Sequence, residues 1–174
     1  MFSDPKKNIE QFALHSGMII ADLGAGSGFY TTLAATAVGD LGKVYAVDVQ
    51  KELLSHIKNS ANKSHHQNIE VVWGDIEKLN GTKIKAGCVD GAIASNILFQ
   101  LKDREGFRAE VKRILKVGGK LFVIDWTDYF GGLGPQQSSV FSLADCKSLF
   151  ASDFIVEKEF IAGAHHYGII FSKK

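Results

Sequence analysis

Three glycines mark the part of the sequence best suited to bind a ligand. Gly24, Gly26 and Gly28 follow an apolar run in the stretch IIADLGAGSGFYTT, and a helical pattern follows them. In an open parallel sheet, the first strand-to-helix turn presents backbone N–H groups to a ligand beyond the carboxyl ends of the strands. A turn without side chains lets a ligand lie against the backbone, and Asp22 could hold a positively charged amino group nearby. The alternative is a glycine-rich turn with a structural role only.

The spacing of these glycines distinguishes between ligands. The dinucleotide fingerprint G-x-G-x-x-G places its third glycine where the helix packs closely on the strand, at position 29 of this chain. Phe29 occupies that position. The G-x-G-x-G spacing and the acidic Asp22 therefore favour a ligand with a cationic group over one with a diphosphate.

Two further acidic residues follow the next two strand-like runs. Asp48 ends VYAVDV, where a carboxylate can accept both hydroxyl groups of a ribose. Asp75 follows VVWG, where it can accept a hydrogen bond from an adenine amino group while Ile76 packs on the ring. Either acid could instead cap a helix that follows it. The occurrence of three such sites at successive strand ends favours a nucleoside-containing ligand.

The elements that must position these residues alternate along the chain. Asp4 and Pro5 begin a short opening helix, Ser142 with Asp145 begins a late one, and Gly118 and Gly119 are expected to end the helix before the fifth strand. Strands that alternate with helices predict a parallel sheet covered on both faces, followed here by an antiparallel hairpin. We therefore predict an α/β protein with a doubly wound, seven-stranded mixed sheet whose last strand is antiparallel. The seven strand candidates are MIIADL, KVYAVDV, NIEVVWGD, CVDGAIAS, GKLFVIDW, DFIVEKEF and HHYGIIFS.

Composition excludes several other classes of protein. The chain has 174 residues, 45% of them hydrophobic, and a formal net charge of +1, which fits one domain without a broad basic surface for nucleic acid or anionic lipid. No apolar run reaches the ~18 residues of a membrane span, and the N-terminus does not resemble a signal peptide, so we expect a cytoplasmic protein.

Cys88 and Cys146 form no CxxC pair, and His65 with His66 lies in a polar segment, so no metal site is expected. Trp73 and Trp126 are expected to be core or cleft-wall aromatics.

Five segments together resemble a known family. ADLGAGSGFYT, VYAVDV, GDIEKL, CVDGAIASNILFQL and RILKVGGKLFVIDW stand in the order found in class I S-adenosylmethionine-dependent methyltransferases of the small UbiE-like type, with a type 11 or type 25 domain. The resemblance spans nearly the whole chain and implies a Rossmann-like single domain over residues 1–174. It implies an opening helix in residues 1–17, cofactor-binding βα units in residues 18–126, and a substrate-side loop, helix and hairpin in residues 127–174.

The resemblance also implies a cofactor, S-adenosyl-L-methionine, and the residues that bind it. It implies a methionine-binding loop after the first strand, ribose binding after the second, adenine contacts after the third, and a fourth strand end that faces the methyl donor. The residues implied are Asp22, Gly24, Ala25, Gly26 and Gly28 for the loop, Asp48 and Val49 for ribose, Asp75 and Ile76 for adenine, and Ser95 and Asn96 for the donor-facing edge.

The acceptor side is predicted from strand direction. If DFIVEKEF runs parallel to the earlier strands, the hairpin that follows it lies at the same edge of the sheet as the glycines, together with the loop DWTDYFGGLGPQQSS. A histidine there could orient or deprotonate an acceptor, and an aspartate could position it. Strand alternation puts His165 and His166 on opposite faces, and both could be hairpin-edge residues without a catalytic role. The candidates are His165, His166, Tyr167, Asp125 and Asp128.

Two other functions remain open at this point. Displacement of a methyl group from a sulfonium needs chiefly an aligned nucleophile about 3 Å away, so the lack of a Ser/His/Asp or Cys/His set is compatible with an enzyme acting on a small acceptor. A non-catalytic protein that binds S-adenosylmethionine would share the same pocket. An NAD-dependent oxidoreductase would share the sheet and Asp48, but Phe29 disfavours it. Arsenite methyltransferases share the fold and use cysteines, but Cys88 begins a strand and Cys146 lies in a late helix.

Overall fold

Twelve main elements follow one another in the order that the sequence pattern predicts. The computed structural model describes residues 3–174. Single 3-10 turns lie at Leu98–Gln100 and Gln137–Ser139. The helices and strands are α1 (Pro5–Glu10), β1 (Ile19–Leu23), α2 (Phe29–Val38), β2 (Lys43–Asp48), α3 (Lys51–Lys63), β3 (Ile69–Trp73), β4 (Val89–Ser95), α4 (Arg104–Ile114), β5 (Leu115–Trp126), α5 (Leu143–Phe150), β6 (Phe154–Gly163) and β7 (His166–Lys173).

The seven strands form one sheet in the order β3-β2-β1-β4-β5-β7-β6. Strand β7 is antiparallel to both of its neighbours, β5 and β6, and the remaining pairs are parallel. Since β6 is thereby parallel to β5, the prediction of a mixed sheet with only its last strand antiparallel is confirmed. The turn between β6 and β7 lies at the carboxyl edge of the parallel strands, because Trp126 at the end of β5 pairs with His166 at the start of β7.

Helices cover both faces of the sheet, as a doubly wound architecture requires. One face packs against α1 and α2, where Phe12 of the opening segment stacks on Phe122 of β5 with ring centroids 5.0 Å apart. Helix α3 extends this layer over β2 and β3 through Leu54 and Ile57. The other face packs against α4 and α5, with Phe107 among the buried residues. Within residues 3–174, no helix has both the length and the apolar character needed to cross a membrane.

The ends of the helices match two of the three predictions made for them. Asp4 accepts hydrogen bonds from the backbone N–H groups of Lys6 and Lys7, and Ser142 accepts one from Asp145, so both predicted N-caps are confirmed. The prediction that Gly118 and Gly119 end α4 is wrong. Helix α4 ends at Ile114, and the chain enters β5 directly. Leu115 pairs with Val89 and is fully buried, so burial in the sheet stops the helix before the glycines.

A buried carboxylate fixes the long connection between β3 and β4. Glu110 of α4 accepts hydrogen bonds from the backbone N–H groups of Asn80 (2.8 Å) and Thr82 (3.0 Å), and from the Arg113 guanidinium (2.7 Å). Burial by itself raises the pKa of Glu110, but these hydrogen bonds together outweigh burial and hold its pKa below the usual range. This connection begins with Asp75 and Ile76, so Glu110 holds in place the segment that carries two of the predicted site residues.

We expect Glu110→Ala to lower the free energy of unfolding by about 3–5 kcal/mol, because it leaves the Arg113 charge, the buried Thr82 N–H and the partly buried Asn80 N–H without their partner. Urea denaturation followed by circular dichroism measures this. The control is Glu105→Ala on the same helix, whose exposed ion pair with Arg108 is worth at most about 1 kcal/mol. Equal, small effects of the two substitutions would show that the connection is held by other contacts.

Candidate cofactor site

A cleft of about 280 Å³ opens at the carboxyl edge of the sheet, beside the ends of β1, β2 and β4. This is where ligands bind in open α/β sheets. A wider depression of about 890 Å³ lies at the opposite edge, near Lys43 and Ile69 at the amino ends of β2 and β3. Of the residues predicted to bind the cofactor, seven line the cleft: Gly24, Gly26, Asp48, Val49, Asp75, Ile76 and Asn96.

The glycine loop adopts a backbone that other residues rarely adopt. The φ angles of Gly24, Gly26 and Gly28 are +75°, +54° and +81°. A Cβ atom at Gly24 would lie 2.8 Å from Ile97 Cδ1, so a side chain there would also require the Ile97 side chain to shift. The N–H groups of Gly24 and Ala25 both donate to the carbonyl of Val47, which fixes the loop against the end of β2. The glycines thus have structural reasons to be present, and they also leave the wall of the cleft bare.

Asp48 connects this loop to the start of α3. Its Oδ2 accepts a hydrogen bond from the Gly26 N–H (3.0 Å), and its Oδ1 accepts one from the Gln50 N–H (2.9 Å). The N-cap residue of α3 is Gln50 and not Asp48, so the alternative that Asp48 is a helix N-cap is wrong. Asp48 is nearly buried but still lines the cleft. Its carboxylate oxygens can each accept a further hydrogen bond there.

Asp75 and Ile76 line the far end of the cleft from the loop that follows β3. Asp75 Oδ1 accepts a hydrogen bond from the Glu77 N–H (3.0 Å), and no helix follows, so the alternative of a helix N-cap is wrong. The Trp73 ring is exposed and is not among the residues that line the cleft, so the prediction of a core or cleft-wall aromatic is wrong for it; its Nε1 donates to the Val49 carbonyl (3.0 Å). The apolar side chains of Val49 and Ile76 therefore lie beside hydrogen-bonding groups, an arrangement that suits a flat heterocycle with polar edges.

At the end of β4, Asn96 lines the cleft and has an unusual backbone conformation. Asn96 has a φ of +56°, a left-handed conformation that is uncommon for residues with a side chain. Its backbone N–H donates to the Ile124 carbonyl (2.8 Å), which holds this conformation. Its side-chain Oδ1 is buried without a hydrogen-bond partner among residues 3–174. Residues in such uncommon backbone conformations cluster at ligand-binding positions, and Asn96 also lines the cleft.

Four predicted residues do not line the cleft. Asp22 lies beneath the glycine loop, where its Oδ2 accepts a hydrogen bond from Thr31 Oγ1 (2.6 Å). Burial raises the pKa of Asp22 to about 6, against the opposing effect of the hydrogen bonds from Thr31. The hydrogen bond with Thr31 joins the end of β1 to the first turn of α2, the two elements that the glycine loop connects. The other three are Ala25, Gly28 and Ser95.

The acceptor-side candidates lie at the carboxyl edge of the sheet, as predicted. Their side chains are engaged in contacts with neighbouring protein segments. His165 Nδ1 lies 2.9 Å from Asp128 Oδ1, the rings of His166 and Trp126 are 4.3 Å apart, and the Tyr167 hydroxyl donates to the Phe141 carbonyl. Burial is the main cause that raises the pKa of Tyr167 well above its usual range. His165 and Tyr167 thus hold the loop between β5 and α5, and His166 packs on the last residue of β5.

Asp125 also has a defined structural partner. It is fully buried, and its carboxylate accepts hydrogen bonds from the backbone N–H groups of Leu98 and Trp126, both at 2.8 Å. Burial raises the pKa of Asp125 to about 6, with these hydrogen bonds acting in the opposite direction. Asp125 therefore fixes the turn after β4 from below. None of the five acceptor-side candidates is among the residues that line the cofactor cleft.

Several cleft residues were not predicted from the sequence. Glu77 accepts hydrogen bonds from the backbone N–H groups of Lys102 (2.7 Å) and Asp103, which closes one side of the cleft. Gln100 donates to the Asn96 carbonyl (2.7 Å). Glu77 lies in the polar segment GDIEKL directly after Asp75 and Ile76, and this proximity could have indicated it. Nothing in the sequence indicates that the turn after β4 folds against the cleft. The residues missed are Gln50, Leu53, Gly74, Glu77, Ile97, Gln100 and Leu101.

Known proteins resemble both the sequence and the fold of this chain. Residues 21–123 match the family described as "Methyltransferase domain". The crystal structure of a SAM dependent methyltransferase from Aquifex aeolicus superposes with a TM-score of 0.90 at 28% identity, covering 99% of this chain and 91% of that one. The chain belongs to this methyltransferase family, which confirms the resemblance found in the sequence.

Curated relatives are longer than this chain. An arsenite methyltransferase from Aquipseudomonas alcaligenes is 31% identical over 117 residues, which are 65% of this chain and 34% of that protein. The ubiquinone/menaquinone biosynthesis C-methyltransferase UbiE from Hahella chejuensis is 27% identical over 120 residues, which are 68% of this chain and 47% of that protein. The matched region thus spans about a third to a half of the length of these two relatives.

The raised pKa of Asp22 predicts a pH-dependent stability. The pKa of Asp22 is about 6 in the folded protein and has its ordinary, lower value in the unfolded chain. At a pH between these two values, the folded protein therefore binds more protons than the unfolded chain. Ionised Asp22 therefore destabilises the fold as the pH rises from 4 to 7, by roughly 2–3 kcal/mol. We expect Asp22→Asn to gain this much stability relative to wild type over that range, measured by urea denaturation at each pH.

The control for this comparison is Asp40→Asn, an exposed acid at the opposite edge of the sheet. It should keep a constant difference from wild type across the same range of pH. If Asp22→Asn also kept a constant difference, Asp22 would be ionised without penalty and burial would not govern its titration.

Proposed function

We propose that the protein transfers a methyl group from S-adenosyl-L-methionine to a small-molecule acceptor by direct displacement. The observation that carries the proposal is the cleft at the carboxyl edge. The side-chain-free loop, Asp48 and Asn96 line one cavity there. Membership of the methyltransferase family supports the reaction, and the cleft supports the cofactor.

The residues present fit each part of this cofactor. Gly24 and Gly26 leave room for the methionine chain, and Asn96 lines the same cleft beside them. The Asp48 carboxylate can accept the two ribose hydroxyls, and Asp75 can accept the adenine amino group. Val49 and Ile76 supply the apolar contacts for the ring. When bound, the cofactor supplies a methyl group activated by the positive sulfur.

The protein's own part in the reaction is then to orient the two reactants and exclude water. Effective concentration and alignment supply much of the barrier reduction in such a transfer, so no dedicated proton-transfer residue is required. The hairpin turn and the loop that follows β5 meet at this edge of the sheet, and we place the acceptor beside them.

Arsenite is not the acceptor that these residues favour, although the relative from Aquipseudomonas alcaligenes is named for it. Cys88 precedes β4 at the edge opposite the cleft. Cys146 is fully buried in α5, and burial raises the pKa of its thiol well above the usual range. Neither sulfur lies where a thiolate could present arsenic to the cofactor cleft.

Isothermal titration calorimetry tests the cofactor. We expect S-adenosylmethionine and S-adenosylhomocysteine to bind and NAD to bind far more weakly. Asp48→Ala should weaken S-adenosylhomocysteine binding tenfold or more, because charge-assisted hydrogen bonds to ribose contribute about 1.5–3 kcal/mol. Circular dichroism establishes that the variant is folded.

Asp40→Ala is the matched control, because it removes an exposed acid at the opposite edge and should leave the affinity unchanged. Binding of NAD without binding of either methionine-derived ligand would contradict the proposal. An unchanged affinity in folded Asp48→Ala would remove Asp48 from the cofactor site and assign it only to the glycine loop.

A further inference from the structure

The carboxylate of Glu77 joins two segments of the chain that both line the cofactor cleft. Residues 74–77, after β3, form one segment, and the turn at residues 96–101, after β4, forms the other. Glu77 Oε2 accepts hydrogen bonds from the backbone N–H groups of Lys102 (2.7 Å) and Asp103, directly after that turn. One partly buried side chain therefore bridges the two segments beside the cleft.

A second contact seats the same residue against α4. The N-cap of α4 is Asp103, so the two N–H groups lie at the N-terminal end of this helix, where a carboxylate is favoured by its charge and by the helix dipole. A Cβ atom added to Gly106 would overlap the Glu77 carbonyl oxygen, so the first turn of α4 lies directly against the backbone of residue 77. Both the main chain and the side chain of Glu77 thus contact the start of α4.

The turn after β4 is fixed near both of its ends. Near its beginning, the Leu98 N–H donates to the buried Asp125 carboxylate (2.8 Å). Its last residue, Leu101, is followed at once by the two N–H groups that Glu77 binds. Ile76 and Leu101 are buried apolar residues that line the cleft, one from each segment. Glu77 is therefore placed to set the separation between them.

We propose that Glu77 is a positioning residue for the adenine end of the cofactor, and that it determines how strictly the cleft selects adenine over other bases. This role rests on the proposed methyltransferase function. The Glu77 N–H donates to Asp75 Oδ1 (3.0 Å), so a shift of residue 77 also shifts the carboxylate assigned to the adenine amino group. Glu77 acts through Asp75, Ile76 and Leu101, while its own carboxylate stays bound to the start of α4.

Isothermal titration calorimetry of Glu77→Ala tests this role, with S-adenosylhomocysteine and S-inosylhomocysteine as the probes. The two probes differ only in the base, where inosine carries an oxo group in place of the adenine amino group. We expect Glu77→Ala to bind S-adenosylhomocysteine about tenfold more weakly, because two charge-assisted hydrogen bonds are removed, and to lose much of the wild-type preference for it over S-inosylhomocysteine. Glu77→Gln should restore most of the affinity, since one amide oxygen can accept both hydrogen bonds.

The matched control is Glu105→Ala, which removes an acid from the first turn of the same helix, where its exposed carboxylate pairs with Arg108. This substitution should change neither the affinity for S-adenosylhomocysteine nor the preference between the two probes. Circular dichroism at the temperature of the titration establishes that each variant is folded.

Amide hydrogen exchange in the wild-type protein tests the same role without a variant. If the cofactor binds only while Glu77 holds both segments, S-adenosylhomocysteine at about a hundred times its dissociation constant should slow exchange at Lys102 and Asp103 by roughly tenfold or more. The amide of Asp40, which is exposed at the opposite edge of the sheet, should exchange at the same rate with and without the ligand.

Three results would overturn this role for Glu77. The first is a folded Glu77→Ala protein with wild-type affinity. The second is a loss of affinity that leaves the preference between the two bases unchanged, because Glu77 would then support the fold without positioning the adenine end. The third is unchanged exchange at Lys102 and Asp103 in the presence of the ligand. In each case the binding of S-adenosylhomocysteine by wild type leaves the proposed function standing, whereas wild type that binds neither probe contradicts the proposed function itself.

Discussion

The hydrogen bond from the Gly26 N–H to the Asp48 carboxylate is the contact on which the site depends. The parallel register of β1 and β2 pairs Leu23 with Val47, so the chain after β1 must turn beside the end of β2. The backbone there needs left-handed residues and a fixed acceptor, and the glycines with Asp48 supply both. One carboxylate thereby shapes the loop, fixes the start of α3 and remains available to a ligand.

The same edge is completed by segments that are far apart in the sequence. Because β7 is antiparallel, the turn before it returns to the carboxyl ends of the parallel strands and meets the loop after β5. Contacts from His165 and Tyr167 hold that loop, and His166 packs on Trp126 at the end of β5. Buried Asp125 holds the turn after β4 in the same way. This part of the edge is therefore built by tertiary contacts, whereas the glycine loop and Asp48 lie close together in the sequence.

Local patterns explain what could be predicted from the sequence. Alternating strand and helix signals determine a parallel sheet, and turn residues at its carboxyl edge must converge, so Gly24, Asp48 and Asp75 could be placed together. Side-chain direction was less predictable. Asp22 and Asp125 are both acids at strand ends, yet they turn inward to hydrogen-bond the chain beneath the site. The places of Ile97 and Leu101 in the cleft depend on how the turn after β4 folds. The predicted end of α4 at Gly118 is wrong because the burial of Leu115 in the sheet ends the helix earlier.

The most direct test of the cofactor assignment is a titration of isotope-labelled protein with S-adenosylhomocysteine, followed by two-dimensional amide NMR. We expect one dissociation constant to describe the shifts of the amide signals of Gly24, Gly26, Val49, Ile76 and Asn96. The amides of Asp40, Lys58 and Asn68, at the opposite edge, should stay unchanged. Shifts confined to the opposite edge, or no saturable shifts at the glycine loop, would contradict the assignment of this cleft to the methyl donor.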